Sequence, residues 1–157
     1  WVIPHFEKML YDNAQFILLI SKYCKINSSS YFKGKLEQTV EFMKNEFQNE
    51  EGLLGTAYDA DSEGEEGKYY IFDFDDLKEI SDINKYFEIS STGNWENKII
   101  LIEKEKPPKK VLDALKQIRL RKKKPTFDNK TQLDLNCLWI SSLIAANDIL
   151  PQNKYLN

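Results

Sequence analysis

The sequence has only two cysteines, Cys24 and Cys137, far apart and without C-x-x-C spacing. A disulfide scaffold and a thioredoxin-type redox motif within this segment are thereby excluded. Both lie among apolar residues at helical spacing, so both are expected to be buried free thiols in a reducing compartment. Long apolar runs are also missing. The longest is Phe16 to Ile20, far short of the roughly 20 residues a membrane-spanning helix needs. No basic start followed by an apolar stretch and a small-residue cleavage site is visible, so a cytoplasmic location without a signal peptide is expected. Arginine is scarce: of 22 basic residues only Arg119 and Arg121 are Arg. Nucleic-acid surfaces favour Arg for bidentate contacts, so no nucleic-acid partner is expected, and no membrane partner either.

What is present suits a globular chain. Its 157 residues suffice for one domain, and 41% of them are hydrophobic. Aromatic residues at 13% argue against disorder. The net charge of −3 is unevenly spread. Residues 1–80 hold 8 Lys/Arg against 16 Asp/Glu, and residues 81–157 hold 14 against 9. The chain opens on Trp1 without an initiator Met, and it is expected to be a segment of something longer.

Apolar periodicity places the elements. Residues 4–26 read as a helix, with Phe6, Leu10, Asn13, Ile17, Ile20 and Cys24 on one stripe and Pro4 in the first turn. Met9, Phe16 and Leu19 add a second apolar strip, so burial on more than one side is expected. Residues 31–48 form the cleanest helix, with Phe32, Leu36, Val40, Met43 and Phe47 inward. Asn27 to Ser30 is a short break, and the pair should form an antiparallel hairpin. Lys68 to Phe72 reads as a strand paired with Leu53 to Tyr58. Asp73 is a candidate N-cap for a short helix over 74–81. Ile99 to Ile102 is a strand or buried extended piece. Further helices are expected from Pro108 to about 122 and over about 131–149, the latter with Leu135, Leu138, Trp139, Ser142, Leu143 and Ala146 inward.

Three constellations could carry chemistry. Trp1-x-x-Pro4-His5-Phe6-Glu7 gathers titratable groups at the expected helix start. His5 is the only histidine, and its type titrates near neutral pH. Glu7 would lie in the first turn, where the helix dipole favours a carboxylate. General acid–base work is one reading. The other is structural: Glu7 complements the dipole, Lys8 and Asp12 pair at i,i+4, and His5 is a satisfied buried side chain. The second constellation, Asp59-Ala60-Asp61-Ser62-Glu63-Gly64, starts like an EF-hand loop. It fails at position 12, where Tyr70 stands in place of Glu, and no metal site or cofactor is expected beyond a weak cation site. Asp59 and Asp61 could supply carboxylates to a cleft or bind sugar hydroxyls; the run could equally be a solvated acidic hairpin. The third, Lys104 to Lys124, has ten Lys/Arg but no interleaved aromatic residue, and reads as a solvated basic helix face.

Trp1-x-x-Pro4-His5-Phe6-Glu7-Lys8-Met9-Leu10-Tyr11-Asp12-Asn13-Ala14-Gln15 resembles the first signature of the YyaL-like, thioredoxin-domain-containing relatives of spermatogenesis-associated proteins. Asp59 to Tyr70 resembles the second. Arg121, Pro125, Asp128, Lys130 and Asn136 resemble a third, with Asn129, Leu135 and Cys137 in place of its Asp, Trp and Gly. The resemblance implies a mainly α fold of antiparallel helical hairpins from an (α/α)6 toroid, like N-acylglucosamine epimerases and six-hairpin glycosidases. A small β-hairpin excursion is expected around residues 52–72, within a single partial-barrel domain over 1–157 that lacks the thioredoxin-like domain.

The resemblance also implies roles. His5, Glu7, Asp59 and Asp61 would be catalytic, His5 as general acid or base and the carboxylates as partners or hydroxyl ligands. Trp1, Tyr11, Asp12, Glu66 and Asn136, within the matched signatures, would contact substrate. The substrate class implied is a small-molecule sugar, by analogy of fold. The alternative is a non-catalytic scaffold or binding module, or an inactive remnant, partnering a thioredoxin-like domain or a second copy of itself.

Overall fold

The computed structural model describes residues 3–150. Along the chain come β1 (Lys8–Met9), α1 (Leu10–Ile26), α2 (Ser30–Phe47) and β2 (Ala57–Tyr58). Two short strands follow, β3 (Asp61–Ser62) and β4 (Glu65–Glu66), then two single-turn helices, α3 (Phe74–Leu77) and α4 (Ile83–Tyr86). The rest is β5 (Phe87–Glu88), β6 (Ile102–Glu103), α5 (Lys109–Leu120), β7 (Phe127–Asp128) and α6 (Leu133–Asn147). The fold is therefore mainly α with small antiparallel β pieces. Among the described residues no helix is long and apolar enough to cross a membrane.

The contacts divide the chain into two compact units. The helical unit runs from Glu7 to Tyr58 and resumes at Phe127. Here α1 packs against both α2 and α6. Its core holds Leu10, Ile17, Leu36, Val40, Met43, Phe47, Leu54 and Trp139. Four of these, Leu36, Val40, Met43 and Phe47, recur at spacings of three and four along α2, as helical burial requires. The Ser29 hydroxyl accepts the Phe32 N–H at 3.5 Å and caps α2. A three-stranded antiparallel sheet in the order β1-β2-β7 closes this unit, with Lys8 opposite Tyr58 and Ala57 opposite Asp128. Gly55 leads into β2 where an added Cβ would lie 2.5 Å from the Phe127 ring, so only glycine fits.

That sheet overturns two expectations. The first helix begins at Leu10, not at Pro4, because residues 8–9 are spent on strand pairing and Leu10 N–H donates to Thr56 O at 2.9 Å. His5 and Glu7 therefore precede the helix, outside any regular element. The first-turn acid is Asp12 rather than Glu7, and Lys8, on β1, is not a helical i,i+4 partner of Asp12. Likewise β2 pairs with β1 and β7, not with residues 68–72; Phe72 instead bridges Ile99. Strands β2, β3 and β4 fall within the β excursion expected around residues 52–72; residues 59–126, with residues 3–6, make the second unit.

The second unit has two apolar clusters. Phe72, Leu77, Ile83, Phe87, Ile99, Val111 and Leu115 form the larger. Phe6, Ile71 and Ile100 form the smaller, with Ala60, Tyr70 and Trp95 packed against it. Asp73 precedes α3 without a capping hydrogen bond; its carboxylate instead takes the Lys98 ammonium at 2.6 Å.

The two thiols differ, contrary to expectation: Cys24 is buried and Cys137 exposed. Cys24 lies on the core stripe of α1, whereas Cys137 follows the buried Asn136 by one residue and turns away from the core. A thiol-specific reagent is expected to label Cys137 alone in the native protein and Cys24 only on unfolding. Equal rapid labelling of both would contradict this placement.

Candidate functional site

The candidate site of the second unit starts with Phe6. Its ring is buried, stacked on Tyr70 at 6.1 Å with an 8° interplanar angle and tilted against Trp95 at 5.2 Å. It also lies directly on Gly67, where an added Cβ would be 2.6 Å from the ring, and Gly67 has a φ of +70° that side chains rarely adopt. Burying Phe6 ties down the arm that carries His5, which stays exposed.

The acidic loop reaches the same cluster from the other side of the sequence. Gly67 N–H donates to Ala60 O at 3.0 Å, closing the β3–β4 hairpin. Its two-residue turn, Glu63-Gly64, has φ values of 56° and 80°, the left-handed pair that a tight hairpin turn requires. Lys68 steadies this turn, reaching Glu65 at 2.6 Å and Glu63 at 3.4 Å. Its hydrogen bond and charge hold the Glu65 carboxyl below the usual carboxylate range, and Glu65 in return raises Lys68. At the base, Asp59 N–H donates to Thr126 O, and the buried Ser62 hydroxyl donates to Lys123 O at 2.6 Å. Asp61 N–H donates to Asp59 Oδ1 at 3.1 Å. Asp61 and Glu66 stand directly opposite across the hairpin, a placement that costs stability for like charges.

One unit thus holds His5, Asp59, Asp61 and Glu66, all exposed. Ala60, between the two aspartates, and Phe6, next to His5, pack in one apolar cluster. That shared cluster is what relates the two segments. Among the described residues no three His, Cys, Asp or Glu side chains gather as a metal site would need. A cavity of about 340 Å³ lies elsewhere on this unit, lined by Ile80, Asp82, Tyr86, Pro108, Lys110 and Val111 among others, and includes none of the candidates.

The remaining candidates belong to the helical unit. Glu7 is half-buried just before β1, and Tyr11 and Asp12 are exposed in the first turn of α1. Asn136 is buried, and its amide is committed to backbone: Oδ1 accepts Leu54 N–H at 2.9 Å, and Nδ2 donates to Leu54 O and Gln132 O, each at 3.0 Å. Trp1 lies outside the described residues.

The basic segment departs from a fully solvated face. Arg119, on α5, places its guanidinium carbon 5.9 Å from the Tyr70 ring centre and 5.6 Å from that of Phe72. Lys122 sits 5.2 Å over Phe72 and donates to the carbonyls of Lys68 and Ile71. Burial pulls both cations below their ordinary pKa. Sequence periodicity missed them because their aromatic partners lie about 50 residues away in the chain. The scarcity of arginine was the one available signal.

No family model matches the chain. Spermatogenesis-associated protein 20 of Homo sapiens is 28% identical over 86 residues, a match that takes in 51% of this chain and 11% of that protein. The Rattus norvegicus protein of the same name is 34% identical over 67 residues, 43% of this chain and 8% of its own length. Uncharacterized protein B0495.5 of Caenorhabditis elegans is 24% identical over an alignment of 205 residues that takes in 100% of this chain and 28% of that protein. The chain spans less than a third of the length of each of these relatives.

Proposed function

We propose that this chain is part of a carbohydrate-active (α/α)6-barrel protein related to spermatogenesis-associated protein 20, and that its chemistry is proton transfer at, or hydrolysis of, a sugar. The observation that carries the reading is the shared cluster. Phe6 is buried in a cluster against which the half-buried Ala60, more than 50 positions on, also packs, and His5, Asp59 and Asp61 lie on the exposed flanks of the same unit. In this reading His5, the chain's only histidine, is the general acid or base. Asp59 and Asp61 orient it or hold sugar hydroxyls. The likeness to longer proteins and the paired helices of the helical unit support a barrel segment; the fold analogy to sugar enzymes supports the substrate class.

The test is binding and turnover with a panel of aldoses and N-acyl sugars. His5→Ala and Asp59→Asn are expected to fold normally, since both positions are exposed. Loss of a general acid or base should lower turnover by about 10²–10⁴-fold. An unchanged response in folded variants would remove the assignment.

A second reading has its own support. Leu133, Ile140 and Ile144 of α6 and Leu19 and Ile26 of α1 are exposed, between 52% and 90%. Were these residues one contiguous patch, it would mark an interaction face, and a scaffold that docks a thioredoxin-like domain is the alternative. Its capture of such a domain should be indifferent to His5→Ala.

A further inference from the structure

Arg119 has no hydrogen bond or ion pair among the described residues, and its Nε is buried without a partner. Its recorded company is aromatic: the Tyr70 and Phe72 rings, with Lys122 over the same Phe72 ring. We propose that Arg119, seated on Tyr70 and Phe72 with Lys122 beside it, binds an oxyanion, the carboxylate or phosphate group of a ligand.

The pairing of Arg119 is unfinished. Arg119 is half-buried, and the part of its guanidinium taken from water is Nε, whose N–H needs an acceptor. Aromatic faces attract the charge but offer no lone pair in the plane of the donors. No carboxylate compensates it: the groups that favour its charge are the hydroxyls of Tyr69 and Tyr70, while burial works against it. Asp76 and Asp73 act on the charge of Lys122, and Asp73 is already taken by Lys98. Lys122 adds a second positive charge, although its ammonium is partly committed to two carbonyls. Ser21 Oγ and Asn147 Oδ1 are likewise buried without a partner among the described residues, but Arg119 Nε belongs to a charged group, for which an unmade hydrogen bond costs most. The planar fork of an arginine matches carboxylate and phosphate alike, which a lysine does not. The aromatic seat holds that fork in one orientation before any ligand arrives. The site is independent of the sugar reading and stands or falls without it.

With only two arginines in the chain, the side-chain Nε–H signals of Arg119 and Arg121 can be followed separately by NMR. The protein is titrated with inorganic phosphate and with acetate, each at constant ionic strength held by chloride. The Arg119 signal is expected to move to saturation with at least one of the two while that of the exposed Arg121 does not. Saturation by phosphate alone, or by acetate alone, identifies the source of the oxyanion. Arg119→Lys should weaken the response about tenfold, the loss expected for one charge-assisted hydrogen bond; Arg121→Lys should leave it intact. The proposal is overturned if Arg119 shows no saturable shift with either anion, if both arginines drift together, or if a folded Arg119→Lys binds as well as the parent.

Discussion

Phe47→Ala is expected to lower the unfolding free energy by about 3–5 kcal/mol, the usual range for emptying a buried aromatic site. Phe47 is the last residue of α2 and is fully buried. Its ring meets Tyr58 at 5.3 Å and Phe127 at 5.6 Å, both nearly perpendicular, and Phe42 at 5.8 Å. Truncation removes these edge-to-face contacts together with the transfer free energy of the ring. Collapse into the space is hindered, because Tyr58 and Phe127 are fixed by the register of β2 with β7. Against a typical total stability of about 5–15 kcal/mol, the loss would move the denaturation midpoint far. Urea unfolding of this variant beside the exposed control Gln38→Ala measures it. The control should stay within about 0.5 kcal/mol; a Phe47→Ala loss as small as the control's would contradict the packing described.

Asn136→Ala should cost about 2–6 kcal/mol without any ligand present. The side-chain amide of Asn136 acts as a peptide group, taking the N–H and offering to the C=O of Leu54. Leu54 is fully buried, so both of its backbone groups lose their partner out of reach of water. Each unpaired buried group costs about 1–3 kcal/mol. The expectation bears directly on the substrate-contact role that the signature resemblance implies for Asn136. A ligand-free thermal or urea measurement separates the two. Near-normal stability combined with lost sugar binding would favour substrate contact over the structural tie.

Helices whose burial follows their own periodicity were legible in the sequence. The α2 stripe, the inward Val111 and Leu115 of α5, and Trp139, Ser142 and Ala146 of α6 occupy the positions that spacing demands. Where the chain chose a distant partner, periodicity misled. Residues 4–9 carry a helical pattern, yet β1 pairs with β2 some 50 residues on, and the helix waits until Leu10. Tyr69 to Phe72 alternates too little to reveal that Phe72 would bridge Ile99. The candidate site was legible as residue types and not as geometry. His5 and the aspartates are related through Phe6, Ala60 and Gly67 packing together, and no spacing rule contains that contact. Arg119 and Lys122 escaped for the same reason, since a run of basic residues looks solvated until its aromatic partners are known.

His5, the chain's only histidine, gives a single imidazole to follow by NMR. The protein is titrated with the aldose and N-acyl sugar panel. At least one sugar is expected to shift the His5 ring signals to saturation, and Asp59→Asn to abolish the response while the fold is retained. Ring signals that stay fixed with every sugar, or that respond equally in Asp59→Asn, would contradict the sugar reading.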